Sequence, residues 1–69
     1  MREVKIDTEY IKLDQLLKYS GFAQTGGHSK MLIQEGVVLV NDNVVTERGK
    51  KIRSGDIVKI EDVGEFVVV

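Results

Sequence analysis

The sequence predicts an α+β fold: two short helices packed on a small, mostly antiparallel sheet, in the order β-α-α-β-β-β-β. Three observations carry that expectation. Tyr10, Leu13, Leu16 and Leu17 recur at helical spacing, and the stretch stops at Gly21. A second, shorter apolar stretch stops at Gly36. From Val37 onward the apolar period drops to two, as in half-buried strands. At 69 residues the chain is expected to form one domain over residues 1–69. A domain of that size buries only about 60% of the surface that its unfolded chain exposes, so its stability is expected to be modest.

Each element follows from local chemistry. Val4 and Ile6 alternate with Glu3 and Lys5, which suits a short strand. Asp7 or Thr8 is then the expected N-cap, because either side-chain oxygen can accept from a free amide of the first turn. The helix is expected from about Glu9 to Ser20, with Lys12, Gln15 and Tyr19 facing away from its apolar stripe. Ile11 does not fit the stripe and needs another segment to cover it. Phe22-Ala23-Gln24 leads to a second helix over about Gly27 to Glu35. Val37 to Val40 and Val44-Val45 are expected strands joined at Asn41-Asp42, residue types that tolerate positive φ. Ile57 to Ile60 and Glu65 to Val69 complete the sheet around a turn at Asp62-Val63-Gly64.

Composition narrows the function. The chain has no Cys, so no disulfide and no thiolate metal site braces it. With 42% hydrophobic residues and no Pro it reads as a packed globule rather than a disordered tail. No apolar run approaches the roughly 20 residues that span a membrane. The N-terminus alternates charged and aliphatic residues instead of forming a signal peptide, so the expected location is cytoplasmic. Net charge is −1, but it is unevenly distributed. Residues 12–53 hold seven Lys or Arg against four acids, whereas residues 1–11 carry −1 and residues 54–69 carry −3. Such a field can hold phosphate on one face of a nearly neutral molecule; an ordinary solvated surface is the alternative.

One series of spaced residues is more specific. It runs Lys12-Leu13-Asp14, Leu16-Leu17, Gly21, Thr25-Gly26-Gly27-His28-Ser29-Lys30, Leu32-Ile33, Gly36, Val38, Val40-Asn41 and Gly55-Asp56-Ile57. The series resembles the alpha-L RNA-binding domain, the family named for the fourth protein of the small ribosomal subunit. The resemblance covers about residues 11 to 60, and the Gly-Gly form looks like that of a subgroup of very small, free-standing bacterial members. It implies binding to ribosomal or transfer RNA. Members are often appendages of modifying enzymes, for which this chain has no room. An Arg that commonly contacts RNA is replaced here by Lys12, which keeps the charge without the bidentate fork. Gly26 stands where the wider family commonly has the Arg of a Ser-Arg-Ser sequence.

The candidate RNA-binding residues are Lys12, Lys18, Gly27, His28, Lys30, Asn41, Arg48, Lys50, Lys51 and Arg53. Each group has a plain structural alternative. Lys12, with Tyr19 farther along the helix, is an RNA contact or a solvated face. The Thr25-to-Lys30 segment opens a helix, whose free amides and positive dipole end can hold a phosphate; its glycines otherwise permit only a tight interhelical turn. It is not a nucleotide-binding P-loop, because the Gly-x-x-x-x-Gly-Lys-Ser/Thr spacing is absent. Arg48-Gly49-Lys50-Lys51-Ile52-Arg53 extends a basic surface as a loop, or merely keeps strand edges soluble. His28, alone among scattered carboxylates, is a poor metal ligand or catalyst and a better helix cap.

Tyr10, Phe22 and Phe66 are expected in the core, leaving Tyr19 as the exposed ring. With so few stacking platforms, a structured RNA read by backbone shape is favoured over a single strand. The sequence thus points to a non-catalytic module for structured ribosomal RNA, acting in ribosome assembly or translation. No cofactor, metal, membrane or small-molecule substrate is expected. The alternative is a protein-protein interaction module that keeps the fold without RNA binding. Clustering of Lys12, Lys30, Lys50 and Lys51 favours RNA; dispersal beside an exposed apolar patch favours a protein partner.

Overall fold

The computed structural model covers Met1–Val69. In chain order it contains β1 (Arg2–Val4), β2 (Ile11–Lys12), α1 (Leu13–Tyr19), α2 (Gly26–Gln34), β3 (Val38–Val40), β4 (Asn43–Val44), β5 (Lys51–Ile52), β6 (Ile57–Ile60) and β7 (Gly64–Val68). The main sheet has the order β1-β7-β6-β3-β4, antiparallel throughout except for the parallel β1–β7 pair. A separate two-stranded ribbon joins β2 to β5. The expected class is therefore present: two helices on a small, mostly antiparallel sheet.

Alternation along the strands gives the sheet one buried face. Val38, Val40, Val58, Ile60, Phe66 and Val68 point into the core, where they join Val4, Ile52 and Ala23 with Leu13, Leu16 and Leu17 of α1 and Ile33 of α2. Phe22 is half-buried; its ring stacks on Phe66 at a centroid distance of 5.3 Å, with the Arg2 guanidinium 5.1 Å from its own centroid. The helices stop where the glycines predicted. Gly21 (φ 87°) and Gly36 (φ 76°) adopt the left-handed conformation just past the last turns.

The hairpin between β3 and β4 turns at Asn41 (φ 50°) and Asp42 (φ 70°), as the residue types required. Asp62 (φ 62°) likewise turns the chain between β6 and β7. The second helix begins and ends one residue earlier than expected.

The start of the first helix differs more. The expected helix from Glu9 begins only at Leu13, and neither Asp7 nor Thr8 caps it. Ile11 and Lys12 are extended instead and pair with Ile52 and Lys51, so the segment covering Ile11 is β5. Thr8 Oγ1 donates to the Tyr10 carbonyl at 2.9 Å, a local turn that competes with helix. The first amides of α1 are satisfied from outside: Leu13 N–H donates to the Lys50 carbonyl at 2.9 Å and Asp14 N–H to the Arg48 carbonyl at 3.0 Å. Tertiary pairing has overridden helix propensity here. Two expectations fall with it. Tyr10 is 38% exposed rather than core, and the basic stretch expected to be a loop contains a strand at Lys51–Ile52.

Candidate nucleic-acid interface

The ribbon decides where the charge goes. Lys12 and Lys51 are direct partners across the β2–β5 pair, an arrangement of like charges that costs stability. The carbonyls of Lys50 and Arg48 are tied to the first amides of α1. Lys51 Nζ lies 4.8 Å from the Tyr10 ring centroid, and the Arg53 guanidinium carbon 5.8 Å. Backbone pairing thus gathers Lys12, Arg48, Lys50, Lys51 and Arg53, five exposed cations, around the N-terminal end of α1. Attraction to the Tyr10 ring offsets part of the repulsion. What remains is a local excess of these five cations over the neighbouring Glu9, Asp14 and Glu47, held in place by backbone hydrogen bonds, on a chain whose net charge is −1.

The other candidates lie on the helical hairpin or at the far turn. Lys18 is exposed in the last turn of α1, where a cation also complements the helix dipole. Lys30 is exposed on α2. These two share no backbone pairing with the ribbon group; the link is α1, which packs on α2.

At the start of α2, Thr25 Oγ1 accepts from the His28 amide at 3.0 Å and acts as the cap. His28 Nδ1 accepts from the Gln24 amide at 3.3 Å, so the half-buried imidazole braces the helix entry. No bond within the chain takes the amides of Gly26 and Gly27. Neither glycine has a positive φ, and both belong to α2. A Cβ on Gly26 would meet nothing within 4 Å, and one on Gly27 would meet only Thr25 Oγ1 at 3.9 Å. Intramolecular geometry does not require glycine at either position.

Asn41 is committed elsewhere. Its Nδ2 donates to Asp56 Oδ1 at 3.0 Å, and its Oδ1 accepts from the Ile57 amide at 2.9 Å. Asp56 Oδ2 accepts from the Arg53 amide at 2.9 Å, so this network locks the β3–β4 turn to the turn that enters β6. Asn41 therefore helps to set the backbone at Arg53, and both ends of its side-chain amide are occupied. Ser29, within the Gly-Gly-His-Ser segment, is fully buried, and its Oγ has no partner in the fold.

Sequence reasoning missed Tyr10. Its spacing to Leu13 and Leu17 mimics a helical stripe, and the misfit of Ile11 was the one signal that the helix starts later. Tyr19 is 63% exposed as expected; its hydroxyl donates to the Lys5 carbonyl at 3.0 Å. No group of three or more His, Asp or Glu side chains comes together as a metal site. No helix is long and apolar enough to cross a membrane.

The chain is 47% identical over 66 residues to a protein of Bacillus subtilis (strain 168) named "Probable ribosome maturation protein RlbA", a match that covers 96% of this chain and 93% of that one. The S4 domain profile matches residues 4–69, which takes in every element from the end of β1 to β7. This chain is a member of the S4 domain family.

Proposed function

We propose that this protein is a non-catalytic RNA-binding module that holds structured ribosomal RNA during ribosome assembly or translation in the cytoplasm. The observation that carries the proposal is the β2–β5 ribbon, which opposes Lys12 to Lys51 and draws Arg48, Lys50 and Arg53 to the same end of α1. Cations fixed by backbone pairing, five against the neighbouring Glu9, Asp14 and Glu47, suit a polyanion whose phosphates are themselves fixed in space. The amides of Gly26 and Gly27, which make no bond within the chain, offer a second phosphate position beside residues that carry no side chain of their own. Lys18 and Lys30 extend the contact along the helical hairpin. The name of the Bacillus subtilis relative supports a role in ribosome maturation.

One observation favours the protein-interaction alternative. The outer face of the main sheet carries Leu39, Val44, Ile57 and Val67, interrupted by the exposed Lys59 and Glu65, and of these Val44 is 56% and Ile57 38% exposed. That patch is formed by β3, β4, β6 and β7, separate from the ribbon, so a protein contact there is compatible with RNA on the basic group.

Competition separates the readings. A folded ribosomal-RNA helix junction is expected to displace a labelled junction better than an unstructured strand of equal length. Equal competition by both argues against recognition of shape and leaves plain charge attraction. Failure of both to bind leaves the protein-interaction module.

A further inference from the structure

We propose that the recess beside Tyr10 receives one unpaired base of the bound RNA, with the Tyr10 ring as its stacking partner; this rests on the RNA-binding function proposed above. Thr8, Glu9, Tyr10, Ile11, Lys12 and Gln15 line an open recess of about 520 Å³, within the range of about 300–1,000 Å³ typical of small-ligand clefts. Tyr10 is 38% exposed in its wall. An exposed ring on a protein surface is ordinary; a ring held from several directions is less so. Lys51 and Arg53 lie over the ring, 4.8 and 5.8 Å from its centroid, so a base stacks on the part of the ring that they leave open, and the bond from Thr8 Oγ1 ties down the Tyr10 backbone. A ring ordered before binding loses little freedom when a base stacks on it.

The surroundings suit a single unpaired nucleotide. Lys12 lines the same recess and stands opposite Lys51, so cations for the phosphate flank a platform for the base. The side chains of Gln15 and Glu9 supply donor and acceptor groups for a base edge. A base paired within a helix cannot reach this ring. A bulged or junction nucleotide, already out of the stack, can. The recess therefore adds a local single-nucleotide feature to recognition that otherwise reads backbone shape.

The test uses the full chain and two RNA hairpins, one fully paired and one identical except for a single bulged adenosine. Affinities come from fluorescence anisotropy of labelled RNA. The chain has two Tyr and no Trp, so in a Tyr19→Phe background the intrinsic emission reports Tyr10 alone. The bulged hairpin is expected to bind about 5- to 150-fold tighter, the worth of one base–aromatic stack, and to quench Tyr10. Tyr10→Leu should weaken the bulged hairpin far more than the paired one and so remove that preference, and Tyr10→Phe should retain it. The proposal is overturned if both hairpins bind equally, or if Tyr10→Leu weakens both by the same factor; salt-dependent binding of both would still leave the RNA-binding function standing. If neither hairpin binds at any salt concentration, that function falls as well.

Discussion

Replacing Lys50 and Lys51 together by Ala tests the ribbon where its consequence is quantitative. Both residues are exposed, and their backbones, not their side chains, hold β5 and the start of α1. The fold should survive: surface substitutions outside special features change stability by less than about 0.5 kcal/mol. The two effects on Lys51 even oppose each other, because losing its contact with Tyr10 is offset by relief of its repulsion with Lys12. Binding should respond differently. Each neutralised phosphate contributes about 0.7 to 0.9 to the slope of log K against log salt, so the five gathered cations with Lys18 and Lys30 predict a slope of about −5 to −6.

Raising salt from about 50 to about 200 mM then weakens the wild type by about 900- to 6,000-fold, and the double variant by only about 100- to 500-fold. Titration of a ribosomal-RNA junction at several salt concentrations, followed by anisotropy, measures both slopes. Lys5→Ala, beyond the ribbon and next to β1, serves as the control and should leave slope and affinity unchanged. A wild-type slope near zero, or an equal loss from Lys5→Ala, refutes the reasoning.

Gly27→Val should weaken RNA binding while shifting stability by less than about 0.5 kcal/mol, because the new Cβ makes only an ordinary contact with Thr25 Oγ1; a fall in melting temperature with unchanged binding by the folded protein would return Gly27 to a purely structural role. Ser29→Ala should stabilise the protein by about 1 kcal/mol, since it removes a buried, unpartnered hydroxyl and places a better helix former in α2; a lower urea midpoint would show that Oγ has a partner in solution. Asn41→Ala should cost about 2 kcal/mol or more, because it unpairs Asp56 and the Ile57 amide and leaves Ala at φ 50°. Chemical denaturation at neutral pH measures it, and a loss below about 0.5 kcal/mol would mean that the clamp contributes little.

The sequence carried those parts of the fold that repeat. Leu13, Leu16 and Leu17 are buried on one side of α1 as their spacing requires, and the alternation from Val38 to Val40 and from Ile57 to Ile60 matches the buried face of the sheet. The ribbon was illegible because two residues on each side, Ile11–Lys12 and Lys51–Ile52, are too short to show a period. From sequence Tyr10 reads as core, because i, i+3 spacing to Leu13 holds whether or not the turn between them is helical. Asn41 was legible as a turn former, but its bonds to Asp56 and Ile57 span 15 and 16 residues, beyond local pattern. The gathering of Lys12, Arg48, Lys50, Lys51 and Arg53 depends on that same non-local pairing. Composition located the positive segment, and only the backbone hydrogen bonds of Leu13 and Asp14 fold it onto α1.

Ultraviolet crosslinking in cells, with sequencing of the attached RNA and mass spectrometry of the attached peptides, tests most directly whether the ribbon-and-helix face is an RNA surface. The expected result is ribosomal RNA, concentrated at a helix junction, attached to peptides that contain Tyr10–Lys18 or Arg48–Arg53. Crosslinks to RNA without ribosomal enrichment would contradict the assignment to ribosome assembly or translation. Attachment confined to proteins, through the outer sheet face around Leu39, Val44 and Ile57, would contradict the RNA-binding function itself.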